Sequence, residues 1–164
     1  MAFESLTDSQ INDLITCPKK LNNPNSRTKL KDGHEQLNYK AIATDGTDRE
    51  FIIYKRQNMR EGMEDDFSSG ISWLAPNGES FTLKRYNGSN HDHLNFIEKE
   101  RLEYICHIHI ATEKYIKANR KPEGFAENTS RYKTVNGAFH CLITDCNVKG
   151  INTTPEITNQ PSLF

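Results

Sequence analysis

The chain has 164 residues, enough for one domain with a buried core, and its 26% charged and 35% hydrophobic content describes a polar but foldable globular protein with generous loops. Lysine and arginine number 21 against 22 aspartates and glutamates, so the formal net charge of -1 excludes a global attraction to phosphate backbones and confines any nucleic-acid site to a local patch. No apolar run approaches the roughly 20 residues that span a bilayer, and the opening Met1-Ala2-Phe3-Glu4-Ser5-Leu6 lacks the basic and apolar segments of a secretory signal, so a cytoplasmic location without a membrane partner is expected.

Thr7-Asp8-Ser9-Gln10 reads as a capping box, in which the Thr7 hydroxyl accepts from the Gln10 amide and the Gln10 side chain reaches back, with Leu6 and Ile11 as a hydrophobic staple. The spacing of Ile11, Leu14 and Ile15 predicts a short helix from Asp8 to about Thr16, ended by the restriction that Pro18 places on Cys17. Residues 21–33 read as a polar loop, because Asn22, Asn23, Pro24, Asn25 and Ser26 all favour turns. From Glu35 the period becomes two. Leu37, Tyr39, Ala41 and Ala43 alternate with Asn38 and Lys40, Asp45-Gly46 supplies a hairpin turn, and residues 49–57 return with Phe51, Ile52, Ile53 and Tyr54.

After a charged loop holding Glu61, Glu64, Asp65 and Asp66, residues 67–75 predict a third strand, Pro76-Asn77-Gly78 a bulged turn and residues 79–86 the returning strand. Residues 87–101 are too long for a tight hairpin, and loops of that length inside a compact domain are usually functional or disordered. A strand resumes over residues 103–112, with Tyr104, Cys106, Ile108 and Ile110 on one face and Glu103, Ile105, His107 and His109 on the other. Residues 113–128 hold a short helical turn and then a Pro122-Glu123-Gly124 turn. Tyr132, Val135, Phe139, Leu142, Ile143 and Cys146 give residues 130–146 the spacing of an amphipathic helix, and residues 149–164 read as a flexible tail. The expected fold is α+β: a curved antiparallel sheet of about five strands, packed on one face by an N-terminal and a C-terminal helix, in a single domain over residues 6–148. Cys17, Cys106, Cys141 and Cys146 show no Cys-x-x-Cys spacing, so neither a disulfide framework nor a zinc knuckle is indicated.

Chemistry concentrates in residues 81–112, where four of the six histidines lie. Residues two apart on a strand share a face, so His107 and His109 project together, opposite Cys106, Ile108 and Ile110, and the loop carrying His91 and His93 starts beside one end of that face. On regular alternation Lys84 and Tyr86 join the histidine face and Arg85 lies with Leu83, unless the strand ends or bulges there. Paired imidazoles can cleave RNA by its own 2′-hydroxyl, one as general base and one as general acid, with a cation on the phosphorane charge. His-x-His on a strand is also a way to present two metal ligands, with His91, His93 or Asp92 completing the shell. His34 and His140 stand alone and read as structural; Tyr54 and Trp73, in alternating strands, read as core. No Gly-rich phosphate loop, nucleophile elbow or dinucleotide fingerprint is present.

Leu6-Thr7 leading to Leu14-Ile15 and Pro18-Lys19, then Leu83-Lys84-Arg85-Tyr86-Asn87-Gly88 with His91, His93 and Asn95, then His107-Ile108-His109 with Ala111-Thr112, and finally Cys146-Asn147-Val148 form a pattern over about residues 6–150. The pattern resembles an uncharacterised family of short bacterial proteins that shares the helix start, the arginine-led strand end and the His-x-His strand. Over residues 83–110, the Arg85-Tyr86-Asn87 strand end followed by clustered histidines also resembles small RNA-cleaving toxins of bacterial toxin–antitoxin modules, which implies an RNA-cleaving site.

The leading expectation is therefore a nuclease-like protein that cleaves RNA by histidine general acid–base catalysis without a metal or other cofactor. His91, His93, His107, His109 and Arg85 are its catalytic candidates, and Lys84, Tyr86 and Asn87 its substrate-binding candidates. One alternative is a non-enzymatic interaction protein, such as a phage or mobile-element inhibitor of a host defence system, which engages a protein partner such as an antitoxin or host target through the acidic loop and two basic stretches, Lys19, Lys20, Arg27, Lys29 and Lys31, and Lys114, Lys117, Arg120 and Lys121. A second is a metal-binding protein with zinc or manganese at the histidine cluster. The oligomeric state stays open.

Overall fold

Thr7 opens the first helix as its capping box predicts. In the computed structural model, which describes residues 6–22 and 28–151, the Gln10 amide donates to the Thr7 hydroxyl at 3.1 Å and the Thr7 amide donates to the Gln10 side-chain oxygen at 2.9 Å. α1 (Asp8–Thr16) then buries Ile11, Leu14 and Ile15. The strands follow as β1 (Lys19–Leu21), β2 (Lys29–Lys31), β3 (His34–Ala43), β4 (Glu50–Asn58), β5 (Phe67–Leu74), β6 (Ser80–Asn87), β7 (His93–Asn95), β8 (Glu100–Leu102), β9 (His107–Ile110), β10 (Phe125–Asn128) and β11 (Val148–Lys149). α2 (Glu113–Lys117) lies between β9 and β10, and α3 (Val135–Asp145) between β10 and β11.

Nine of these strands join one sheet in the order β10-β9-β6-β5-β4-β3-β1-β11, with β2 also pairing with β3; β7 and β8 form a separate hairpin. Every pairing is antiparallel except β1 with β11. The five expected strands are β3, β4, β5, β6 and β9. The sheet is larger because β1, β2, β10 and β11 are only two to four residues long, too short for alternation to register in sequence. Residues 21–33 are correspondingly not one loop, since β1 ends and β2 begins inside them, and of the expected tail Lys149 belongs to β11 while residues 152–164 lie outside the described residues. The 76–78 turn holds as expected, with Gly78 at φ 90°, where a side chain would be strained.

α3 starts later than residue 130, because the Thr134 hydroxyl caps it by accepting from the Gly137 amide at 3.1 Å. Its Val135, Ala138, Phe139 and Leu142 join the α1 residues and the sheet residues Leu37, Tyr39, Ala41, Phe51, Ile53 and Ile71 in one core, where Tyr39 and Phe139 stack at 5.5 Å. Each large apolar side chain buried there contributes roughly 1.5–3 kcal/mol. Lys19 ties the helix ends into that core: its buried Nζ donates to the carbonyls of Ile15, Cys17 and Cys146 at 2.7, 2.8 and 2.8 Å, so one cation satisfies acceptors at the C-terminal ends of α1 and α3. Burial pushes its pKa down. No helix among the described residues is long and apolar enough to cross a membrane.

Candidate active site

A one-residue irregularity decides which side chains can meet. Ile71 pairs with Lys84 but Ser72 pairs with Thr82, so Leu83 is an extra residue that bulges β6 and changes its phase. Beyond the bulge Lys84 and Tyr86 point to the helix-covered face. Tyr86 is fully buried, its hydroxyl donates to Asp145 at 2.5 Å, and Lys84 lies 3.6 Å from the same carboxylate. Burial pushes the Tyr86 phenol far up. These two expected substrate contacts are therefore excluded from the histidine face. Arg85 and Asn87 take their place, paired across strands with His109 and His107 respectively.

The register then lays out two polar rows. One runs Gln36, Arg56, Ser68, Asn87, His107; the other runs Asn38, Tyr54, Gly70, Arg85, His109. The long loop folds over the histidine end of both. His91 meets His107 with ring centroids 5.1 Å apart, His93 meets His107 at 5.7 Å and His109 at 4.6 Å, and His107 meets His109 at 5.1 Å. All four histidines converge, and the two strand histidines are buried under the loop, outside the apolar core.

Hydrogen bonds assign a tautomer to each ring. His107 Nδ1 donates to the Ile105 carbonyl at 2.9 Å, His109 Nδ1 to the Glu123 carbonyl at 2.8 Å, His93 Nε2 to Asn95 Oδ1 and the Gly124 carbonyl at 3.0 and 2.9 Å, and His91 Nδ1 to Asn90 Oδ1 at 2.9 Å. In a neutral ring the other nitrogen carries a lone pair. For His107 that atom, Nε2, is buried with no partner. Burial, then the neighbouring histidines and Arg85, push the His107 pKa down; the same causes push His109 down to about 2, so both are neutral imidazoles at physiological pH. The loop is pinned by Asn95, whose side-chain amide donates to the Ala126 carbonyl at 2.8 Å and accepts from the Ala126 amide at 2.9 Å, as a further strand on the β10 edge would.

Beside His91 a cavity of about 350 Å³ opens between Gln36, Tyr54, Arg56, Ser68, Arg85 and Asn87, with Asp66 and Phe67 also in its wall. Arg85 Nε and Asn87 Oδ1 are buried without partners. The Arg85 guanidinium is 3.9 Å from Glu123, a carboxylate it shares with Lys121. Tyr54 reaches the cavity because residue 70 is glycine: a Cβ there would stand 2.6 Å from the Tyr54 ring. Asp66 is engaged elsewhere, accepting from Asn58 at 2.9 Å.

Of the expected catalytic residues, His91 alone among the histidines lines this cavity, with Arg85; His93 and His109 lie behind, held by carbonyls of the residue 123–124 turn. Sequence reasoning missed Tyr54, Arg56, Ser68, Asn95 and Glu123. For Tyr54, the alternation of Phe51 and Ile53 toward the core was the available signal, since it places residues 52, 54 and 56 on the opposite face. The zinc or manganese alternative finds no converging donor set: among the described residues no group of three or more His, Cys, Asp or Glu side chains is disposed to hold a metal ion. His93 and His107 stack at 13°, which keeps their nitrogens from aiming at one point.

Comparison with protein-family models, with curated proteins and with solved structures returns no match for the chain.

Proposed function

We propose that the chain is a ribonuclease-like protein that cleaves RNA through attack of its own 2′-hydroxyl, without a metal. The observation that carries the reading is the unpartnered Nε2 of neutral His107, directly behind the exposed His91 and beside Arg85. A buried lone pair without a donor costs stability, of order 1–3 kcal/mol, and a substrate hydroxyl would supply the donor. Among the described residues the His91 ring has one hydrogen bond, to Asn90, and rests on the His107 ring edge-on, so a turn of the ring that breaks this bond would admit it.

His107 Nε2 takes the proton of the 2′-hydroxyl, the 2′-oxygen attacks phosphorus, and the bond to the 5′-oxygen breaks as protonated His91 delivers a proton to that leaving oxygen. The products are a 2′,3′-cyclic phosphate and a 5′-hydroxyl. Arg85, short of a close partner at Nε, stabilises the phosphorane oxygens. His93 and His109 position His107 and Arg85 and transfer no proton, and a cytoplasmic RNA is the substrate. With EDTA present, purified protein should convert single-stranded RNA to cyclic-phosphate ends, and His91→Ala and His107→Asn should each slow this about 100-fold or more. Asn at 107 retains a donor for the Ile105 carbonyl and removes the basic nitrogen. Cleavage that survives His91→Ala sinks the assignment.

A second reading has its own observation. Tyr104 and Ile105 are exposed beside Cys106, Tyr132 and the acidic Asp65 in a cavity of about 260 Å³, a surface suited to a protein partner such as an antitoxin or host target. A stoichiometric partner whose binding ignores His91→Ala and fails with Tyr104→Ser would favour that non-enzymatic role.

A further inference from the structure

Arg56 is the residue on the polar face that the cleavage chemistry leaves unused. It is exposed and its guanidinium has no hydrogen bond or ion pair with the described residues. It stands on β4 and Arg85 on β6, with β5 between them and an offset of two residues along the strands, so about 12 Å separates their backbones. The gap is floored by Ser68 and by the Tyr54 ring, which lies flat over Gly70 with its hydroxyl 3.4 Å from the Ser68 hydroxyl. Both arginines line the same cavity of about 350 Å³, into which Tyr54, Asn87 and Gln36 bring neutral polar groups. Two cations this far apart, each backed by hydrogen-bonding groups, match successive phosphates of a single strand better than one isolated phosphate. A duplex would need both strands to fit against a face already roofed at one end by the loop of residues 88–106.

We propose that Arg56 is a second phosphate subsite, so that the ligand is a single-stranded polynucleotide lying across β6, β5 and β4 with one phosphate at Arg85 and the adjacent one at Arg56. The subsite rests on the cleavage reading for its placement of the first phosphate at Arg85, but it concerns binding and is testable without cleavage.

The probes are thymidine dinucleotide and trinucleotide, which carry one and two phosphates and, lacking the 2′-hydroxyl, are not cut. Their affinities for the full chain and for Arg56→Gln are measured by titration calorimetry at low salt. The trinucleotide should bind the native protein about tenfold more tightly than the dinucleotide, as expected for one added charge-assisted contact. Arg56→Gln should abolish that gain, and the slope of log affinity against log salt for the trinucleotide should fall by about 0.7. A gain that persists in Arg56→Gln, or no gain in the native protein, overturns the subsite. Failure of both probes to bind at millimolar concentration overturns it together with the phosphate role of Arg85. Binding as expected, combined with no RNA cleavage, leaves the subsite standing and removes the nuclease reading alone.

Discussion

The His109 imidazole is 3% exposed, donates to the Glu123 carbonyl and faces Arg85, His107 and His93, and burial first and those charges second push its pKa down to about 2. In the unfolded chain a histidine takes up a proton below about pH 6.5. The folded state refuses that proton until near pH 2, so the contribution of His109 to stability is full above pH 6.5 and is lost as pH falls. The loss from this group should be about 2 kcal/mol between pH 7 and pH 5, with a like-signed contribution from His107. Carboxylates whose pKa is held low, such as Asp45 and Asp145, add their losses only below about pH 4.5 and do not blur this window. Denaturant unfolding of His109→Asn, which keeps a donor for Glu123, should show a flatter dependence on pH over that range. An unchanged slope would mean that His109 is protonated in the folded protein.

At the scale of elements, β10 is an edge strand, and its outer side is occupied by a side chain instead of another strand. Asn95 on β7 pairs with both the amide and the carbonyl of Ala126, and its Oδ1 also receives the His93 ring. One residue thus blunts the edge and holds the loop over the histidines. Asn95→Ala leaves the two buried Ala126 groups without partners, at a cost of about 2 kcal/mol or more. Hydrogen exchange should quicken at Ala126 while amides in β4 and β5 keep their protection. Uniform quickening across the whole sheet would show that the hairpin is not a local latch.

At the scale of the molecule, residues from α1, α3 and the sheet form one connected core, and no second core is present among the described residues. Unfolding should accordingly be a single cooperative transition, with Trp73 fluorescence and far-ultraviolet circular dichroism superimposing. Two separated transitions would divide the domain expected over residues 6–148.

How much of this was legible in the sequence follows the range of the interactions. Thr7 and Gln10 cap a helix from three residues apart, and Leu37, Tyr39, Phe51 and Ile53 declare strands by local alternation, so the first helix, the four long strands β3 to β6 and the placing of His107 with His109 on one face could be read directly, while the strand expected over residues 103–112 shrinks to β9. The α3 region was legible as a helix but not its start, which Thr134 sets. What only the tertiary structure decided is everything that depends on a distant partner. β1, β10 and β11 exist as strands because neighbours complete their hydrogen bonds, and no run of two to four residues carries a period of its own. The phase of β6 is the consequential case. Pairing with β5 places one residue too many at Leu83, and that bulge turned Arg85 toward the histidines and set half-buried Lys84 and buried Tyr86 against Asp145. The sequence alone determined that four histidines and an arginine lie within one strand pair and its loop; packing between strands and loop determined which of them can touch a ligand.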